Sequence, residues 1–293
     1  MNIIILSRNP ALYSTNSLVR AARRRQHYVK VLDHMQCDIQ IITSRPKLKY
    51  QDQEIKNFDA VIPRIGSSAT SYGSAIIRQF ESMGCFTTLS SDALLKARDK
   101  LSCLQILAAN GIGVPKSLIS NNYFSINNMI EDIGSLPAIV KLINGTHGLG
   151  VILAESKSNA ESIMEAFYKT KQEVMLQEFI KEAHGADIRI FIVNDEIVGT
   201  MKRQAGPGEF RSNLHRGAIA SQVNITPEEA AVAIKATNLL GLKVAGVDML
   251  RSKRGPLVLE VNASPGLEGI ENATGKDIAG KIIQFIENNY KNK

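Results

Sequence analysis

The chain has 293 residues, of which 44% are hydrophobic and 22% charged, a globular balance at a length that supports two or three compact units and a core needing no disulfide or metal staple. Its 35 Lys and Arg exceed its 28 Asp and Glu for a net charge of +7, and no apolar run approaches the ~18 residues that cross a bilayer. The start, Met1-Asn2-Ile3-Ile4-Ile5-Leu6-Ser7-Arg8, lacks a basic n-region, and the three scattered cysteines and five histidines offer no disulfide framework, CxxC site or H-x-x-x-H site, so the expectation is a cytoplasmic protein without membrane association.

Residues 2–6 are apolar and mostly β-branched, which predicts a buried strand. A helix over 15–27, a strand over 28–32, short strands at 38–43 and 59–63, and a helix over 67–83 follow. Strands alternating with helices predict a small parallel α/β unit. The charge is uneven: residues 1–94 hold 12 Lys and Arg against 7 Asp and Glu, and the remainder 23 against 21. The dense run Arg20, Arg23, Arg24, Arg25 reads most simply as a solvated helix face; its sharper alternative is a site for an acidic partner. One helix is expected over 92–110, stopped by Gly111, Gly113 and Pro115.

Beyond that stop, strands are expected at 137–143, 151–154 and 173–180, with a helix at 159–168. Two strands at 187–193 and 197–202 flank Asn194-Asp195, a hairpin turn signal. A polar, Gly-rich loop covers 205–217. A helix over 227–240 starts with a proline and ends at Gly241. Strands at 243–250 and 257–261 form a second hairpin, and a helix over 278–290 closes the chain.

Four segments carry chemistry. In Asp248 to Gly266, Glu260 and Asn262 stand two apart on one strand and so face one way. A hairpin centred near Arg254 sets Asp248 opposite Glu260. Two carboxylates and an amide oxygen suit a hard cation such as Mg²⁺ or Mn²⁺; the plain alternative is a polar surface hairpin. The stretch Lys141-Leu142-Ile143-Asn144-Gly145-Thr146-His147-Gly148-Leu149-Gly150 places a lysine before three glycines that let backbone amides approach phosphate oxygens. It is neither a Walker A loop nor a dinucleotide fingerprint, and alone it equally describes a hairpin loop. The strand-to-loop segment at 176–182 offers backbone groups to an adenine edge, or is an ordinary buried strand. The set Arg203, Arg211, Asn213, His215 and Arg216 suits a phosphoryl group or a carboxylate, or is a solvated loop.

The order of Lys100, Lys141 with its glycine loop, hinge strand, arginine loop and D…E-x-N resembles the ATP-grasp superfamily of carboxylate–amine ligases. Residues 61–66, 96–100, 210–217 and 259–271 are similar to its RimK family, whose type activity adds glutamate to the C-terminus of ribosomal protein S-six. The resemblance spans nearly the whole chain. It implies an ATP-grasp fold with an N-terminal parallel α/β pre-ATP-grasp domain at 1–94 and an ATP-grasp domain at 95–293, divided into a central subdomain at about 104–180 and a C-terminal one at about 181–293. It implies that Lys100 and Lys141 contact ATP phosphates, that Glu178 and Phe179 line an adenine hinge, and that Asp187 lies toward the ribose. Arg211, Ser212 and Asn213 would reach the phosphate end. Asp248, Glu260 and Asn262 would hold two Mg²⁺ or Mn²⁺ ions, and Arg203 would stabilise an oxyanion. The implied partners are ATP, L-glutamate and the acceptor tail of a ribosomal protein, in a homo-oligomer that is often a tetramer in the family. The alternatives are an α-amino acid ligase with a small-molecule or other peptide acceptor, and a non-catalytic basic RNA-binding module. Aromatics at 5% and the lack of Trp speak against the last.

Overall fold

The computed structural model describes residues 1–143 and 150–291. Asn2–Leu6 pairs in parallel with Tyr28–Leu32 on one side and Ala60–Pro63 on the other, and Phe86–Thr87 completes a four-stranded parallel sheet. The unbroken apolar run of Ile3–Leu6 has its cause here. Ile4 and Leu6 enter one core with Ile76, Ile77 and Phe80 of the helix Thr70–Ser82, while Ile3 and Ile5 enter another with Leu18 and Ala22 of the helix Tyr13–Arg24. A strand covered on both faces shows no alternation.

Two expectations change here. The strand expected at 38–43 is Cys37–Gln40, which pairs antiparallel with Lys47–Tyr50 in a separate three-stranded sheet instead of joining the parallel one. The single helix expected over 92–110 is two, Ser91–Arg98 and Lys100–Ala109. Asp99 separates them with extended backbone (φ −78°, ψ 101°), and its carboxylate accepts from the Ser102 amide at 3.0 Å as an N-cap. That cap sets Lys100 on the first turn of the second helix.

A four-stranded antiparallel sheet follows, with Ala138–Leu142 between Val151–Ala154 and Val174–Glu178, and Ser117–Ile119 at the edge. The helices Ile126–Ile133 and Lys157–Lys169 bury Ile130, Ile133 and Met164 against Val140 and Leu176, a core of its own. The third layer is a five-stranded antiparallel sheet in the order Ile219–Gln222, Glu196–Gln204, Ala186–Val193, Val244–Ser252, Gly255–Asn262. Its first hairpin turns at Asn194 and Asp195, both left-handed (φ 47° and 67°), as a two-residue turn between twisted strands demands. Alternation is clean in Ala186–Val193: Ile188, Ile190 and Ile192 face the core that contains Ile4, while Phe191 and Val193 face the core that contains Ile3. The helix Pro227–Leu239, started by a Thr226–Glu229 capping box with Pro at its first turn, covers the first face. Glu268–Thr274 and Ile278–Asn289 cover the second. The parallel and five-stranded sheets therefore share both cores, which makes them a common platform. Among the described residues, no helix is long and apolar enough to cross a membrane.

Candidate active site

The hairpin of Val244–Ser252 and Gly255–Asn262 turns at Lys253 and Arg254, and a register shift between Asp248 and Met249 brings Asp248 opposite Glu260 and Gly246 opposite Asn262. Glu260 and Asn262 share a face. Asn262 Nδ2 lies 3.0 Å from Glu260 Oε1 and 3.4 Å from Asp248 Oδ2. Because a side-chain amide exchanges its oxygen and nitrogen by a flip, the same position offers an oxygen to a cation held by the two carboxylates. Among the described residues no group of three His, Cys, Asp or Glu side chains could hold a metal ion; this trio reaches three donors only through the amide. The all-oxygen donor set fits Mg²⁺ or Mn²⁺ and does not suit a soft metal.

Asp248 is also the centre of a buried charge network. Arg189 Nε and Nη2 donate to Asp248 Oδ1 and Oδ2, both at 2.6 Å. Arg203 Nη2 lies 2.9 Å from Asp248 Oδ2 and 2.5 Å from Asp187 Oδ2, and Arg203 Nε donates to Asp187 Oδ1 at 2.7 Å. Asp187, Arg203 and Asp248 are each at most 5% exposed. Burial alone would raise the Asp248 pKa, but the Arg189 and Arg203 charges outweigh it and hold the carboxyl down at about 2. Burial wins at Asp187, whose pKa is raised despite Arg203 and a hydrogen bond from Ser212. A carboxylate has about four acceptor positions, so Asp248 retains capacity for a cation beside its arginines. Arg189 is a site residue that sequence reasoning missed. Its signal is a charged residue two along from Asp187 in an otherwise apolar strand, and hence on the same face.

Both lysines feel the charge of this hairpin's Glu260. Lys141, on Ala138–Leu142, donates from Nζ to Gln177 Oε1 at 2.5 Å, and Gln177 donates on to Ser117 Oγ at 2.8 Å. Lys100 Nζ donates to the Ile143 carbonyl at 2.8 Å. Burial pulls Lys141 down from 10.5 to about 8 and also lowers Lys100; in each case the Glu260 charge is the opposing influence. One carboxylate of the trio thus acts electrostatically on both ammonium groups. The glycine loop at 144–149, including His147, lies outside the described residues. Gly150, just after it, has φ 71° and a Cβ there would stand 2.4 Å from Leu142 Cδ1, so only glycine fits.

Glu178 Oε1 accepts from the Lys116 amide at 2.7 Å and is ion-paired with Arg254. Phe179 meets Phe210 edge-on, with centroids 6.3 Å apart. Arg211 Nη2 lies 2.7 Å from Glu209 Oε2, holding Glu209 down at about 2, while Arg211 Nη1 donates to the Val151 carbonyl at 3.4 Å. Arg211 therefore bridges the arginine loop to the strand that leaves the glycine loop. Asn213 starts the short turn Leu214–Arg216 with no side-chain hydrogen bond of a capping kind. The structure joins Asp187, Arg203, Ser212, Asp248, Glu260 and Asn262 in one network, and Lys100 and Lys141 feel the charge of its Glu260. Glu178, Phe179 and Arg211 sit in neighbouring contacts of their own.

Two arginines of the basic run have partners within the chain. Arg24 pairs with Asp277 at 2.9 Å, and Arg25 with Glu287 at 2.5 Å, on the C-terminal part of the same chain. His27 reaches Glu287 at 2.7 Å.

Over residues 1–94 the chain matches the RimK PreATP-grasp domain, and over residues 97–286 the RimK-like ATP-grasp domain. It is 54% identical over 293 residues to the "Probable alpha-L-glutamate ligase 1" of Hahella chejuensis, covering 100% of this chain and 97% of that one. It is 52% identical over 293 residues to the "Probable alpha-L-glutamate ligase" of Vibrio cholerae, with the same coverage. Among solved structures it resembles the ATP-grasp ligase PsnB complexed with a phosphomimetic variant of minimal precursor, Mg and ADP, with a TM-score of 0.76 over 98% of this chain and 97% of that one. At 21% identity, that likeness concerns the fold.

Proposed function

The chain belongs to the RimK family of ATP-grasp ligases, and we propose that it adds L-glutamate to the C-terminal carboxylate of a protein acceptor, ribosomal protein S-six, through an acyl phosphate. It is an ATP-dependent ligase, and glutamate is the amino acid named for its relatives. The observation that carries the site assignment is the position of Glu260, beside Asp248 and Asn262 on one hairpin and electrostatically coupled to both half-buried lysines.

A carboxylate is a poor acyl donor because its leaving oxygen is anionic. In the proposed sequence an acceptor carboxylate oxygen attacks the γ-phosphorus of ATP, and the bond to the ADP oxygen breaks. Lys100 and Lys141 offset the charge on the phosphates. Asp248, Glu260 and Asn262 would hold Mg²⁺ or Mn²⁺, two ions in this proposal, which when bound supply further neutralisation of the triphosphate. The glutamate amine then attacks the acyl carbon, the carbon–oxygen bond to phosphate breaks, and the amine loses a proton. Arg203 stabilises the negative oxygen that develops, and Asp187, both of whose oxygens accept from Arg203, lies toward the ribose of ATP. Glu178 and Phe179 line the adenine, and Arg211, Ser212 and Asn213 reach the phosphate end. No covalent enzyme intermediate is required, which agrees with the absence of a nucleophile motif from the sequence.

The test incubates the protein with ATP, Mg²⁺, isotopically labelled glutamate and candidate acceptors, among them a peptide with the acceptor tail, and reads additions by mass. Glutamate-dependent ADP release with labelled peptide supports the proposal. ADP release with a small-molecule acceptor alone moves the acceptor assignment, and no glutamate-dependent release refutes the ligase chemistry at this site.

A further inference from the structure

Ligands of parallel α/β sheets bind beyond the carboxyl ends of the strands. Here Arg8 lies two residues beyond the end of Asn2–Leu6, and Arg64 directly follows Ala60–Pro63. Arg8 Nη2 donates to Ser68 Oγ at 3.0 Å, and a Cβ at Gly66 would lie 3.2 Å from that nitrogen. Arg64 Nη2 donates to the Pro265 carbonyl at 2.7 Å and reaches the Ser264 carbonyl at 3.4 Å. Arg98, at the end of Ser91–Arg98, donates from Nη2 to the Ile65 carbonyl at 2.5 Å. The turn that follows Ala60–Pro63 therefore ties three guanidinium groups together.

None of the three pairs with an acidic side chain among the described residues. Two buried polar atoms beside them, Arg98 Nε and Ser264 Oγ, have no hydrogen-bond partner. Buried donors of this kind cost free energy unless something accepts from them. The cluster is also electrostatically continuous with the nucleotide lysines. Burial draws Arg64 down to about 10 with Arg98 adding to the effect, and Arg98 likewise depresses Lys100, whereas Glu260 is the acid that all of Arg98, Lys100 and Lys141 sense. Several cations around one carboxylate leave a positive surplus beyond what the trio neutralises.

We propose that Arg8, Arg64 and Arg98, with the turn at 66–68 and Ser264, form a subsite for a substrate carboxylate next to the phosphate end of the nucleotide. The proposal rests on the ligase reading and deepens it. The carboxylate comes either from the incoming amino acid or from the acceptor tail. Planar guanidinium forks suit it better than ammonium groups.

The test uses the full chain saturated with ADP and Mg²⁺. It is titrated calorimetrically with L-glutamate, and separately with a peptide ending in a free carboxylate and with its C-terminal amide. Arg8 is exposed, so Arg8→Ala spares the fold; Arg98→Lys keeps the charge and loses the fork. Loss of a charge-assisted hydrogen bond predicts at least ~10-fold weaker carboxylate binding in Arg8→Ala, a comparable loss in Arg98→Lys, and unchanged ADP affinity in both. Weakening confined to glutamate assigns the amino-acid carboxylate; weakening confined to the free-acid peptide assigns the acceptor. Wild-type affinity for both ligands in the variants, no carboxylate binding by the wild type, or an equal loss of ADP affinity overturns the subsite. Turnover measured in parallel separates the two readings. Arginine-dependent carboxylate binding without glutamate-dependent ADP release refutes the ligase and supports the subsite. Glutamate-dependent release with unaltered KM values in Arg8→Ala does the reverse.

Discussion

Replacing Lys141 by methionine tests the buried phosphate site from the side of stability. Burial depresses the Lys141 pKa from 10.5 to about 8. At ~1.4 kcal/mol per unit, holding the ammonium in the folded protein costs about 3 kcal/mol at neutral pH. The folded pKa lies below the unfolded one, so between pH 8 and 10.5 the unfolded chain binds more protons and wild-type stability rises with pH; below pH 8 both states are protonated and the full cost persists. Lys141→Met keeps most of the volume and removes this cost. It also strips the donor from Gln177 Oε1, whose residue is 3% exposed, which costs about 1–3 kcal/mol. The net expectation is a variant about 1 kcal/mol more stable than wild type at pH 7. That advantage reverses as wild type regains about 2–3 kcal/mol by pH 10. Urea unfolding at pH 7 and pH 10 measures both differences, and titration with ATP and Mg²⁺ at pH 7 should show at least ~10-fold weaker binding. A stability difference between variant and wild type that is the same at both pH values refutes the assignment of a strained, buried ammonium.

Glu260→Gln should lower kcat for ADP release by at least ~100-fold with an unfolding midpoint close to wild type; retained turnover contradicts the trio. Asp187→Ala leaves Arg203 buried with one partner fewer and should destabilise by about 3–5 kcal/mol in urea unfolding. Thr226→Ala removes the cap of Pro227–Leu239 and should cost about 1 kcal/mol while leaving turnover intact. Arg25→Glu sets a second acid against Glu287 and should lower stability by up to about 1 kcal/mol without altering the acceptor KM. A severalfold rise in that KM would restore the basic run as an acceptor patch.

Where local pattern and tertiary environment agree, the sequence is legible. The run at 2–6 announces a strand covered on both faces. Asp248 stands opposite Glu260 as a hairpin centred near Arg254 requires, but the turn lies at Lys253 and Arg254 and a register shift beside Asp248, which spacing does not reveal, produces that pairing. The helix Ile126–Ile133 is not among the expected elements, although Ile126, Met129, Ile130 and Ile133 carry helical spacing and left-handed Gly134 follows. The edge strands Ser117–Ile119 and Ile219–Gln222 are three and four residues long, too short for any periodicity to register. The break at Asp99 hides because helical residues continue on both sides and a single extended residue with a side-chain cap separates them. At the site, residue types disclosed the donors. The Asp187–Arg203–Asp248–Arg189 network depended on which positions of three strands share a face, and that emerges only from register.

The most direct test is a crystal of the protein grown with a non-hydrolysable ATP analogue and Mn²⁺, with anomalous scattering recorded at the manganese edge. Manganese peaks about 2–2.5 Å from oxygens of Asp248, Glu260 and Asn262, with the β- and γ-phosphates on their other side and Lys100 and Lys141 at the phosphate oxygens, are the predicted result. Manganese bound elsewhere, or a triphosphate remote from that hairpin, would contradict the account.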